Sequence, residues 1–180
     1  MFVLGHLGMG ALLARPWSAG IRRRWLMLGT LLPDLLDKSL YYGLSWSTGR
    51  SGQELGLVSG TRTFGHTALF LLGLTLLAGV RKSKIFGALA LGVATHLLLD
   101  QLGEAFAGSS ESILETALLF PLGGFRFPVI PYAGLSDHLG SFRRTHIWMG
   151  ELIGGALLAW DYWRLRHRSE LLSVAEKRRR

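Results

Sequence analysis

Apolar positions gather in five runs, residues 2–14, 25–42, 64–80, 85–102 and 146–163, separated by short basic turns or by polar stretches. All but the first approach the roughly 20 residues that cross a hydrocarbon core. None shows the apolar-polar alternation of a barrel strand, and a bilayer gives unpaired backbone groups no water, so helices are the expected solution. The pattern predicts an all-α fold, a polytopic membrane protein of about five helices forming a single unit over residues 1–180. Residues 43–63 and 103–145 are rich in Gly, Ser and Pro and read as two longer loops, with a short amphipathic helix expected at 112–120. Loops of that length often serve as lids or binding elements.

Composition agrees with this pattern. Of 180 residues 49% are hydrophobic and only 18% charged, with a mean hydropathy of +0.30, too apolar for an ordinary soluble domain. The formal net charge of +8 would suggest nucleic acid in a soluble chain. Here the basic residues cluster between apolar runs, which points to anionic lipid headgroups, and no nucleic-acid partner is expected. Arg15, Arg22, Arg23, Arg24, Arg81, Lys82, Lys84, Arg164, Arg166, Arg168, Lys177, Arg178, Arg179 and Arg180 put fourteen Lys and Arg on one face. Lys38, Arg50, Arg62, Arg126, Arg143 and Arg144 leave six on the other. By the positive-inside rule the chain is then a multi-pass protein of an inner (cytoplasmic) membrane, with residues 164–180 as a basic cytoplasmic tail and the N-terminus outside. The first run lacks a basic n-region and reads as retained structure. Trp17, Trp25, Tyr41, Tyr42, Trp46, Trp160, Tyr162 and Trp163 fall near the expected interfaces, as an aromatic belt does. Cysteine is absent, which removes thiolate ligands and disulfides.

Against this apolar background six residues stand out as candidate metal ligands: His6, Asp34, Asp37, His66, His96 and Asp100. The turn at residues 81–84 makes its two helices antiparallel neighbours; His66 lies about 16 residues before its centre, His96 and Asp100 about 14 and 18 after it. At about 1.5 Å per residue these groups share one level, and His96 and Asp100, at i and i+4, share a face. The basic stretch 15–24 repeats the arithmetic, with His6 about 13 residues before its centre and Asp34 and Asp37 about 14 and 18 after. All six reach the outer ends of their helices. Pro33 is expected to kink or break its helix just before Asp34, and a broken helix at membrane depth usually lines a site.

Imidazole with carboxylate and no thiolate suits Zn²⁺, Mn²⁺ or Fe²⁺ in a hydrolytic site. Six ligands exceed the need of one catalytic zinc, so one or two divalent ions, bridged by a carboxylate when there are two, is the economical reading. Such ions lower the pKa of a water and clamp the oxygens of a phosphoester. Arg62, Arg126, Arg143 and Arg144 are available for phosphate oxygens, Arg62 first among them, and Asp37 is a candidate base.

Plainer readings stand beside these. Asp34 could pair with Lys38 at i+4, Asp37 could be solvated, His6 could be a packed polar residue, and His66 could open a helix. His96 and Asp100 are harder to dismiss, since ionisable groups in a Leu-rich run are costly and usually functional. His146 and Glu151 are five apart and form no i, i+4 pair; His138 and Asp137 lie in a loop. Gly5, Gly8, Gly10, Gly150, Gly154 and Gly155 suit close helix packing, not nucleotide binding.

Several stretches then carry a family likeness: His6 in a small-residue helix, Leu32-Pro33-Asp34-Leu35-Leu36-Asp37, Gly65-His66-Thr67 within residues 62–67, His96-Leu97-Leu98-Leu99-Asp100, and Phe120-Pro121-Leu122. From His6 to about Leu122 the chain resembles the YdjM-like inner-membrane proteins, a family described as metal-dependent hydrolases. There a second Asp usually follows the Pro-Asp closely; here two leucines intervene, which leaves open whether Asp34 or Asp37 is the ligand. The order His, Asp, His, His-x-x-x-Asp is also similar to the first half of the zinc-dependent phospholipase C and single-strand nuclease superfamily. Those chains continue with a His-x-x-x-Glu that this one lacks, so the resemblance implies a reduced, two-metal site with Asp100 as the bridge. The expected function is membrane-bound hydrolysis of a phosphoester in a lipid or lipid-linked substrate, with the site facing outside. Two rivals remain, a metal-binding transport or sensing protein and a bis-histidine haem protein.

Overall fold

The computed structural model describes residues 3–107, 117–127, 140 and 145–179. Among them the chain is all-helical, with five α-helices: α1 (Val3–Leu13), α2 (Arg23–Thr48), α3 (Ala68–Val80), α4 (Lys84–Ala107) and α5 (Thr145–Arg179). Three 3₁₀ turns, Arg15–Trp17, Gly52–Leu55 and Phe64–His66, lie in the connections. One helix segment, Lys84–Phe106, is long and apolar enough to cross a membrane; Val3–Leu13 and Ala68–Val80 are apolar but have only 11 and 13 residues.

Helix boundaries differ from the apolar runs for local reasons. α2 passes the end of its run and stops at Thr48, where Gly49 takes a left-handed conformation (φ 67°) and donates its N–H to the Ser45 carbonyl. α3 starts at Ala68 rather than Phe64, because the Thr67 hydroxyl accepts from the Phe70 N–H at 3.0 Å and caps the helix there. α5 continues as helix to Arg179, through what reads in sequence as a tail. The break expected at Pro33 does not occur: α2 is continuous through it. The helix expected at 112–120 falls outside the described residues except for its last four, of which Ala117 and Leu118 are helical.

α4 is the hub, packed against α2, α3 and α1, while α1 packs chiefly on α5. Glycine sets the two closest approaches. A Cβ on Gly29 would lie 2.4 Å from the Leu89 carbonyl oxygen, and one on Gly92 2.4 Å from that of Leu26, so α2 and α4 meet backbone to backbone. A Cβ on Gly8 would lie 2.0 Å from the Gly154 oxygen, which joins α1 to α5 in the same way. Leu74, Ala90, Val93 and Leu97 form an apolar core between α3 and α4. Yet the largest fully buried side chains are His6, His66 and His96.

Because the α2–α4 contact leaves no room for a side chain, Gly92→Val should force the helices apart and cost about 1–3 kcal/mol, lowering Tm by roughly 2–4 °C per kcal/mol. Gly87→Ala, whose Cβ meets nothing within 4 Å, should leave the melting curve unchanged or shift it slightly upward. A Gly92→Val protein that melts with the wild type would contradict the contact.

Candidate metal centre

The site forms where α1, α2, α4 and the Phe64–His66 turn converge. On α4, His96 is fully buried and its Nδ1 lies 2.7 Å from the Thr30 carbonyl oxygen. A carbonyl only accepts, so Nδ1 carries the hydrogen and Nε2 of the neutral ring is a bare lone pair. Pro33, lacking an N–H, leaves the neighbouring Gly29 carbonyl without its helical partner.

His66 is fixed in the same way from the opposite side. Its Nδ1 is 2.7 Å from Asp37 Oδ2, and Asp37 also accepts from the Thr63 N–H at 2.7 Å and the Gly65 N–H at 2.9 Å. Three donors around one buried carboxylate keep it an acceptor, so His66 donates from Nδ1 and its Nε2 is also bare. Only glycine permits this at 65, since a Cβ there would sit 2.9 Å from both Cα and O of Pro33. Asp37, read in sequence as ligand or base, instead stands behind His66 as its orienting partner. Both oxygens are spent on the turn, and the side chain is buried.

The two bare Nε2 atoms face each other at 3.2 Å. Two lone pairs this close repel unless a proton or a metal ion lies between them, and nitrogens about 2.0–2.1 Å from a tetrahedral zinc are themselves about 3.3 Å apart, so the spacing fits a shared metal ion. The spacing leaves no room for an iron and its porphyrin between the rings, so a bis-histidine haem does not fit. Asp34 Oδ1 lies 3.6 Å from His66 Nε2; Asp100 Oδ2 lies 3.6 Å from His66 Nε2 and 3.7 Å from His96 Nε2. His6 completes the group, with its ring stacked on His96 at 4.0 Å and its Nε2 3.3 Å from Asp100 Oδ1. Neither His6 nitrogen makes a hydrogen bond although both are buried, an orphaned state that a bound ion would relieve.

Two sets of three donors emerge, His6–His96–Asp100 and Asp34–His66–His96, each with its ligand atoms within 4.8 Å of one another. They share His96, while Asp100 turns one oxygen to His6 and the other to His66 and His96. The donor set fits one divalent ion, or two with Asp100 between them. Asp34 also makes the ion pair its spacing suggested, with Oδ2 2.6 Å from Lys38 Nζ, while its Oδ1 faces His66. Five of the six sequence candidates therefore share one cluster, with Asp37 directly behind it.

Arg62 borders the cluster, with Nη2 3.3 Å from Asp100 Oδ2 and Nη1 3.1 Å from Glu104 Oε1. Burial works against its charge, but the Asp100 and Glu104 carboxylates outweigh this and hold its pKa above the ordinary arginine value. Arg126 is exposed on the 117–127 segment, and Arg143, Arg144, Asp137 and His138 lie outside the described residues. Two acids matter that the sequence reading left unused. Glu104 continues the Asp100 face by one turn and anchors Arg62. Glu151 accepts from the Leu4 N–H at 2.9 Å and the Gly5 N–H at 3.0 Å, so α5 caps α1 and fixes the helix that carries His6.

The family model for the YdjM inner membrane protein matches residues 1–168, which includes every residue of the cluster. The chain belongs to the YdjM inner membrane protein family. No curated protein and no solved structure matches it. Within this YdjM-family chain the arrangement separates candidate ligands from their support. Asp37→Asn should weaken divalent-metal binding about 10–100-fold, as loss of an orienting partner does, while His96→Ala or Asp100→Ala should abolish it. Ser39→Ala, on the same helix, should bind as the wild type does. Metal titration with helicity checked by circular dichroism decides this, and an Asp37→Asn protein with unchanged affinity would remove the orienting role.

Proposed function

We propose that this YdjM-family protein is a polytopic, membrane-embedded hydrolase that uses one or two divalent ions, zinc first and manganese or iron as alternatives, to cleave a phosphoester of a lipid or lipid-linked substrate. The observation that carries the proposal is the pair of imidazole nitrogens 3.2 Å apart, each ring fixed through its other nitrogen and flanked by Asp34, Asp100 and a His6 whose nitrogens make no hydrogen bond. Bound there, a divalent ion supplies Lewis acidity and a water of lowered pKa. His6, Asp34, His66, His96 and Asp100 would hold it. Arg62 would take phosphate oxygens with the guanidinium donors its two carboxylate partners leave over, and Asp37 would keep His66 in the required tautomer. The phosphoester assignment draws on the likeness of the ligand order to zinc-dependent phospholipases.

A membrane setting is supported by the distribution of side chains. Leu12 on α1, Leu35 and Leu36 on α2, Leu69 and Leu72 on α3, Leu98 on α4 and Leu152 and Ile153 on α5 are exposed, while His6, His66, His96, Thr30, Thr95, Asp37 and Asp100 are buried. Such continuous apolar surface is a liability in water and is at home in hydrocarbon. The 3₁₀ turn at Phe64–His66 is the kind of irregular backbone tolerated at membrane depth only where protein encloses it. The charge count supports a cytoplasmic C-terminus and a metal cluster toward the outer side.

The near-complete burial of the cluster also suits a second reading, a protein that carries or senses the ion without hydrolysis. Purified wild type should contain divalent metal that the His96→Ala, Asp100→Ala double variant lacks. It should hydrolyse phosphodiester or phospholipid substrates, lose that turnover on chelation and regain it with Zn²⁺ or Mn²⁺. Arg62→Gln should keep the metal and lose about a hundredfold or more of turnover, in line with removal of a charge-stabilising donor. Metal without turnover on any substrate would favour the carrier; equal and negligible metal in both proteins would end both readings.

A further inference from the structure

At the end of α1 and α2 remote from the metal cluster, a second site is built from different residues. α1 and α5 run parallel, with Leu4 beside Glu151, Gly8 against Gly154 and Arg15 beside Asp161. Backbone contact at the glycines gives way farther along to a cleft of about 130 Å³, walled by Gly8, Ala11, Leu12, Leu157, Leu158 and Trp160. Its polar rim is Arg15, Arg23 and Asp161.

The rim is organised for an anion. Asp161 spans two guanidiniums, with Oδ1 2.8 Å from Arg15 Nη2 and Oδ2 2.8 Å from Arg23 Nη2. An arginine has five N–H donors in a rigid fork, so most of each fork is still free to accept a second oxyanion. Arg23 Nε and the neighbouring Trp25 Nε1 are buried donors without a hydrogen-bond partner. Exposed Arg22 and Arg24 flank Arg23 in sequence, and on the rim itself two guanidiniums meet Asp161 as the one acid. A free inorganic anion would use only the rim. The apolar walls that lead from it favour an amphiphile with a negative head.

We propose that the α1–α5 cleft binds an anionic glycerophospholipid, its phosphate on Arg15 and Arg23 and its acyl chain along Leu12, Leu157 and Leu158. The site is independent of the hydrolase reading. It lies at the level where the basic clusters meet headgroups, and a lipid there would clamp together the two helices that carry His6 and Glu151.

Native mass spectrometry of the full-length protein in non-ionic detergent tests this with phosphatidylglycerol and phosphatidylcholine of identical chains. The wild type should retain one phosphatidylglycerol with about tenfold preference or more over phosphatidylcholine, as attraction by two arginines implies. Arg15→Gln, Arg23→Gln should lose the preference, and so should the triple variant that adds Asp161→Asn and leaves no unpaired carboxylate. Ala11→Phe should lower retention of the lipid with every charge in place. Circular dichroism and metal content report whether each variant is folded, and the triple variant carries the test where another is not. Millimolar inorganic phosphate should leave the lipid bound. Displacement by phosphate would reassign the rim to a free anion, and equal retention of both lipids, or a preference unchanged in the charge variants, would overturn the proposal.

Discussion

The backbone contact between α2 and α4 is the constraint on which the rest of the molecule depends. Gly29 and Gly92 bring the helices so close that no Cβ fits between them, and at that separation the Thr30 carbonyl reaches His96 Nδ1 at 2.7 Å. The same approach puts Asp34 and Asp37 of α2 on the side from which the Phe64–His66 turn enters. Two histidines are thereby pinned by their Nδ1 atoms from opposite directions, and their Nε2 atoms are left with nowhere to point except at each other. A wider helix pair would let each imidazole rotate to an ordinary hydrogen bond. The tension at the centre is a consequence of tight packing around it.

That tension fits a cation and sits poorly with a merely structural polar core. Buried polar groups are normally satisfied, and here Asp37, Thr30 and the Thr63 and Gly65 amides have their partners, while the His6 nitrogens make no hydrogen bond and the two facing Nε2 atoms have only each other. The groups that orient the imidazoles are themselves held in place, the order expected of a site whose protein part is pre-formed. Around it the apolar surface faces outward, which matches membership of an inner-membrane family.

Much of this was legible in the chain. The five apolar runs correspond to the five helices, and counting along two basic turns was enough to put His6, Asp34, His66, His96 and Asp100 at one level, because helical rise converts sequence distance directly into depth. Roles were less legible. Asp34 and Asp37 are three apart on one helix and look equivalent in sequence; they differ only because a turn 26 residues farther on offers its amides to Asp37. Pro33 suggested a kink or a break, yet the helix runs unbroken through it, with Gly65 packed against its backbone. Glu151 was passed over as a misspaced ligand because its partners are backbone amides of α1, and backbone donors leave no mark in a side-chain pattern.

X-ray absorption at the metal edge of the loaded, full-length protein tests the central claim most directly. The account predicts a first shell of nitrogen and oxygen only, with at least two imidazoles at about 2.0–2.1 Å for zinc, and loss of the imidazole scattering in a His66→Ala, His96→Ala variant. A shell without imidazole, or one unchanged in that variant, would contradict it.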